Sequence, residues 1–296
     1  MRGQCADVTD SIRIDRGDRH LAAFVDGGPT GSPTVVCEAG LGGDHYCWDR
    51  VVAALAGKAT VVTYDRAGYG ASPAARDRRD VVALASDLVA VVEQAAPTGP
   101  VVLVGHSLGG RIARAAVPSL PLGRVRGVVL LEGAPDGIIA DMPDLDRAQR
   151  RFIRAMATIG RTGLLRLPPL KRSLATRAAF EADSDGFRSM LANVGRRGFG
   201  RTLLAEWSSI ADPMPSHLPD VPAIELVAER WEDWSDKRKR KFKATADDLI
   251  AYIEKDFGRL YPDGDLRRLS GTGHGIERDR PDAVAEAVLD LVGAER

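Results

Sequence analysis

The sequence predicts an α/β fold: a mostly parallel sheet with helices on both faces, carrying a helical insertion after the strand that ends at Glu132. Three observations carry that expectation. Short Val- and Leu-rich runs alternate with longer stretches of helical period. The runs are apolar nearly throughout, as strands covered on both faces must be. The alternation then stops between about Asp136 and Ser216, where apolar residues recur only at helical spacing.

Taken in order, SIRIDRGDRHLAAFVDGG holds two extended runs around Arg16, Gly17 and Asp18, which predicts an antiparallel hairpin at one sheet edge. The buried strands follow as TVVCEAG, TVVTYD, PVVLVGHS, VRGVVLLE, AIELVAE and the weaker DLRRLSG. Between them WDRVVAALAG, DVVALASDLVAVVEQAA and LGGRIARAAV place apolar residues three and four apart, as crossover helices do. In the insertion, Leu145, Phe152, Met156 and Ile159 fall on one helical face, and so do Leu203, Trp207 and Ile210, while Pro168, Pro169, Pro213 and Pro215 break the chain. Residues 1–135 and 217–296 are therefore expected to form the core, and 136–216 a cap or lid. No internal repeat interrupts this layout.

Composition narrows the function. A chain of 296 residues with 44% hydrophobic content can bury a large core. Lys+Arg and Asp+Glu both total 41, so no global field would draw in nucleic acid or an anionic membrane, and neither is expected as a partner. The stretch MRGQCADVTDSIRIDRGDRH lacks the apolar segment of a secretory signal, and no run is long enough to cross a bilayer. Cys5, Cys37 and Cys47 show no CxxC spacing, and Cys37 sits in a strand as a small core residue. These features suit a soluble cytoplasmic protein. The basic run DKRKRKFKATADD, Asp236 to Asp248, reads as the solvated face of a helix whose apolar stripe is Leu249, Ile253, Phe257 and Leu260. Neither a phosphate-binding GxxxxGK[ST] loop nor a complete dinucleotide fingerprint is present, and no HExxH or Cys-His cluster occurs, so no cofactor and no metal are expected. Oligomeric state leaves no mark in the sequence.

The chemistry concentrates at VVLVGHSLGGRIA, Val101 to Ala113. Strand, then Gly-His-Ser-Leu-Gly, then helix is the setting of a nucleophile elbow, where Ser107 projects beyond the carboxyl edge of the sheet. Gly105 and Gly109 would let strand and helix approach closely. A serine hydroxyl needs a base and an acid that orients it, in the chain order serine, acid, histidine. His274 fits as base, in a glycine-rich loop between the last strand and the last helix. His217 follows Ser107 too, but on a proline-rich platform; His106, beside the nucleophile, cannot easily turn back to it and reads as structural. Glu132, at the tip of VVLLE, is the preferred acid; the alternatives are Glu232 and Asp233, with Glu229, in the loop after AIELVA.

With these residues in view, the sequence resembles the α/β-hydrolase superfamily over nearly its whole length. The likeness rests on EAGLGGDHYCW, YDRAGYGAS, GHSLGG and GTGHGI together. It is closest to branches with Glu-x-Gly where many relatives have His-Gly. The resemblance implies Ser107 as nucleophile, His274 as base and an oxyanion hole from the backbone N–H groups of Leu41 and Leu108, with Asp65 and Arg66 as scaffold beside the elbow. One departure is the lack of a clear Asp after AIELVA, which leaves the acid between Glu132 and the later loop. A serine at the elbow disfavours the Asp-nucleophile dehalogenases and epoxide hydrolases, since a serine ether could not be released by attack at a carbonyl. The expected activity is cofactor-free hydrolysis of an ester, lactone or related acyl bond of a small, partly hydrophobic substrate. Carbon–carbon bond hydrolysis, acyl transfer and perhydrolysis use the same triad, and a ligand-binding protein that keeps the fold without turnover is the alternative of another class.

Overall fold

A computed structural model describes residues 10–31, 33–74, 78–162, 184–214, 220–229 and 246–293. Among the described residues eight strands form one sheet: β1 (Asp10–Asp15), β2 (His20–Asp26), β3 (Thr34–Glu38), β4 (Thr60–Asp65), β5 (Val101–His106), β6 (Val125–Leu131), β7 (Ala223–Ala228) and β8 (Asp265–Leu269). Their spatial order is β1-β2-β4-β3-β5-β6-β7-β8. Strand β2 runs antiparallel to both neighbours, and β3 to β8 are parallel where they pair.

Period-two alternation sorts each central strand between two cores. Val36, Leu103, Val128 and Leu130 face one side, with Leu84 and Leu88 of α2 (Val81–Ala95) and Ile112 and Ala113 of α3 (Leu108–Ala116). Val35, Val102, Val104, Val129 and Leu131 face the other, with Val51 and Leu55 of α1 (Asp49–Leu55) and a last helix over Pro281–Gly293 that contributes Val284, Val288 and Leu291. Both faces are covered, which is why the strand runs carry so few polar residues. The N-terminus of α2 is closed by Asp80, whose side chain accepts from the Ala83 N–H.

Between β6 and β7 the described residues hold helices and no strand: α4 (Ile138–Asp141), α5 (Pro143–Thr162), α6 (Asp185–Gly195) and α7 (Phe199–Ser208). The inward face of α5 differs from the expected stripe. Ile153 is its buried residue, while Phe152 and Ile159 are 54% and 39% exposed, because this helix packs against α6 and α7 rather than onto the flat sheet. Ile153 meets Val194, Phe199 and Leu203, with Tyr69 of the core beneath them. A further helix, α8 (Ala246–Leu260), precedes β8 and buries Leu249, Ile253 and Phe257. The short α9 (Ile276–Asp279) leads into the last helix, α10 (Pro281–Gly293). Glu232, Asp233, His217 and most of the basic run lie outside the described residues. No helix among the described residues is long and apolar enough to cross a membrane.

Candidate active site

Strand β5 ends at His106, α3 begins at Leu108, and Ser107 alone makes the turn, with φ 52° and ψ −117°. That conformation is uncommon for a residue with a Cβ, and its neighbours hold it. The Ser107 N–H donates to the Leu131 carbonyl at 2.9 Å, and its own carbonyl accepts from Gly110 at 3.0 Å and Ala134 at 2.9 Å. The flanking glycines are needed for space: a Cβ on Gly105 would stand 2.5 Å from the Gly109 carbonyl oxygen. One on Gly109 would overlap the Glu38 carbonyl.

The next strand repeats the device. Glu132, directly after β6, has φ 46°, and among the described residues Ser107 and Glu132 are the two non-glycine positions with positive φ. Its N–H donates to the Leu226 carbonyl at 3.0 Å. Its side chain is fully buried, with Oε1 accepting from the Ala228 N–H at 3.1 Å and Oε2 2.6 Å from His274 Nδ1. A buried carboxylate that accepts a backbone N–H leaves Nδ1 to carry the imidazole proton, which makes Nε2 the ring's acceptor nitrogen.

His274 lies between β8 and α9 on a loop anchored by Asp279, whose Oδ2 accepts from the Gly273 N–H at 3.1 Å and the Thr272 hydroxyl at 3.2 Å. His106 points Nε2 at the His274 carbonyl, 2.8 Å away, while burial pushes its pKa below the ordinary imidazole value against the pull of Glu277. Ser107, His274 and Glu132 line one cavity of about 560 Å³. Leu41 lines it as well, and Leu108 is buried at the start of α3, where helix geometry leaves its N–H without an intrahelical acceptor.

The cavity is lined unevenly. Ile138, Leu145, Phe152, Trp207, Ile210, Leu249 and Ile253 supply an apolar surface from the helices around β6 and β7. Asp44, Cys47, Glu277 and Arg278 give a polar one from the loop after β3 and from α9. Burial pushes the Cys47 thiol up to about 12, so it is no nucleophile at neutral pH. Asp65 anchors the loops, accepting from the His45 N–H at 2.9 Å and the Ala71 N–H at 2.7 Å. Arg66 is buried beneath the Ala39–Gly40 carbonyls. No group of three or more metal-ligating side chains occurs among the described residues.

A model of the alpha/beta hydrolase family matches residues 35–287. This chain is an α/β hydrolase. Over 90% of its length it is 25% identical to the magnesium-chelatase 30 kDa subunit of Rhodobacter capsulatus, covering 89% of that protein. The hydrolase LipZ of Mycobacterium tuberculosis, itself named as putative, is 27% identical over 91% of both chains. Among solved structures, the esterase RhEst1 from Rhodococcus sp. ECU1013 superposes with a TM-score of 0.63 at 18% identity, over 96% of this chain and 98% of that one. That likeness is one of fold.

Several lining residues of this hydrolase escape sequence reasoning. Gln149, Met190, Glu277 and Arg278 reach the cavity from helices whose docking angle no periodicity encodes. Glu206 was detectable: it falls on the stripe of Leu203 and Ile210, and an acid on an inward face signals a buried partner.

Proposed function

We propose that this α/β hydrolase cleaves an ester, lactone or related acyl bond of a small, partly hydrophobic molecule through Ser107, His274 and Glu132. The observation that carries the reading is the 2.6 Å contact of His274 Nδ1 with buried Glu132, in a cavity that Ser107 also lines. Glu132 fixes the tautomer and shares the charge when the ring is protonated. Nε2 then takes the Ser107 proton as Oγ attacks the substrate carbonyl. Negative charge gathers on the former carbonyl oxygen, and the Leu41 and Leu108 N–H groups are its donors in this reading. As the tetrahedral adduct collapses, Nε2–H protonates the departing alkoxide, leaving Ser107 acylated. Water, deprotonated by the same Nε2, attacks that ester; the second adduct releases the acid and restores Ser107. No cofactor enters these steps. Residues 136–216 act as a cap that shapes the acyl site, consistent with the apolar residues that α4, α5 and α7 bring to the cavity.

Turnover of a panel of p-nitrophenyl esters, lactones and amides tests this directly. We expect a burst of p-nitrophenolate equal to one acyl group per chain, lost in Ser107→Ala. A folded wild-type chain that binds these compounds and turns none over would favour the ligand-binding alternative.

A further inference from the structure

Arg66 is 1% exposed, and the partners of its guanidinium come from two parts of the chain. On one side Nη1 donates to Glu38 Oε1 at 2.6 Å and to the Ala39 carbonyl at 2.5 Å, and Nη2 donates to the Gly40 carbonyl at 2.7 Å. On the other side Nε and Nη2 form a two-pronged contact with Glu206, at 3.2 and 3.1 Å. Glu206 belongs to α7, in the helical segment between β6 and β7, and is fully buried. It also accepts from the Tyr69 hydroxyl at 2.9 Å and pairs with Arg79.

The Gly40 carbonyl and the Leu41 N–H belong to the same peptide unit. A peptide is planar and, here, trans, so whatever fixes the carbonyl fixes the direction of the N–H. A guanidinium on that oxygen also draws electron density toward it and makes the N–H a stronger donor. We propose that Glu206 is a positioning residue: by seating Arg66 on the Ala39 and Gly40 carbonyls, it aims and polarises the Leu41 N–H, so that docking of α7 is part of assembling the oxyanion hole. The proposal rests on the acyl-transfer reading above. It gives the helical segment a role beyond covering the acyl group. Burial alone would hold Arg66 below its ordinary pKa, but Glu206 and Glu38 outweigh it and keep the guanidinium charged. The segment is tied down a second time by Asn193 of α6, which donates to Asp44 Oδ2 at 2.9 Å and accepts from the Gly70 N–H at 3.0 Å. Loss of Glu206 would therefore loosen the aim of Arg66 while other ties keep the segment in place.

The experiment compares wild type with Glu206→Gln, using p-nitrophenyl butyrate, burst amplitude to count competent sites, and a boronic acid as mimic of the tetrahedral adduct. We expect kcat per titrated site to fall about tenfold to a hundredfold, with KM within about threefold. Boronic acid affinity should fall by the same factor as kcat/KM, and the pH midpoint of kcat/KM should stay at the wild-type value, since His274 and Glu132 are untouched. A wild-type rate per titrated site, or a loss confined to KM or to burst amplitude, overturns the proposal. Should Glu206→Gln not fold, Tyr69→Phe removes one donor to the same carboxylate and must show the same split at smaller size; an unchanged rate there is equally fatal. Absence of any Ser107-dependent turnover in wild type would instead sink the acyl-transfer reading, and this proposal with it.

Discussion

Glu132 and Glu225 stand on neighbouring strands, both fully buried, yet they are built for opposite ends. Glu132 lies past the end of β6 on a left-handed turn, where its two oxygens meet the Ala228 N–H and His274. Glu225 lies within β7 and accepts from the Gly133 N–H at 3.0 Å, and burial pushes its pKa up to about 8 despite that bond and nearby Arg114. A strand's end can hand a carboxylate to a loop that brings an ionisable partner. Inside the strand, burial outweighs the backbone donor and nearby Arg114, and the neutral acid is the favoured form. Around Arg66 the number of cationic partners, not the place in a strand, separates two buried acids: burial pushes Glu38 up to about 7, while Arg66 and Arg79 together overcome burial at Glu206 and hold its carboxyl below the ordinary value.

Breaking the first member of the pair should have the largest effect. Glu132→Gln keeps the shape but offers His274 an uncharged partner, and kcat on p-nitrophenyl esters should fall about a thousandfold with the fold intact by circular dichroism. Retention of full activity would hand the acid role to another carboxylate, with Glu232 and Asp233 the next to test. Shortening the reach is milder: Glu132→Asp should cost about tenfold to a hundredfold, because the carboxylate withdraws from Nδ1 by roughly one bond.

A smaller effect probes the apolar side of the cavity. Trp207→Ala should lower kcat/KM for octanoate esters about tenfold while leaving acetate esters nearly unchanged. Equal losses on both would mean that the ring supports the helices rather than the acyl chain.

The smallest effect concerns Glu225. Its pKa is raised from the ordinary 4.5 to about 8, so between those values the folded chain holds a proton that the unfolded chain releases. Stability must therefore fall as pH rises through that window, and the loss is complete above about 8. Glu225→Gln removes this term. Its melting temperature relative to wild type should climb from pH 4.5 to 8 and level off beyond, with activity little changed. A constant difference across the window would show that Glu225 ionises normally.

Much of this was legible in the sequence for a physical reason: strands buried on both faces must be apolar, and a turn as tight as Ser107 demands Gly105 and Gly109. Glu132 is the preferred acid because the tip of β6 holds a carboxylate rigidly near the sheet edge, while Glu232 and Asp233 after β7 fit the same chain order, so the sequence leaves the choice open. What was not legible depends on long-range docking. The inward face of α5 is set by α6 and α7 rather than by the sheet, so Ile153 replaces Phe152 and Ile159 in the packed interface. Arg66 read as scaffold, but its bond to Glu206 spans 140 positions of chain, and no local spacing announces such a pair.

Hydrolysis by this chain requires that His274 and Glu132 activate Ser107. Intact-mass measurement after treatment with a fluorophosphonate tests it most directly. One phosphonyl adduct per wild-type chain, mapped to the peptide containing Ser107, slowed strongly in Glu132→Gln and missing in Ser107→Ala, is the expected result. A folded wild-type chain that stays unmodified, or an adduct that persists when Ser107 is replaced, contradicts it.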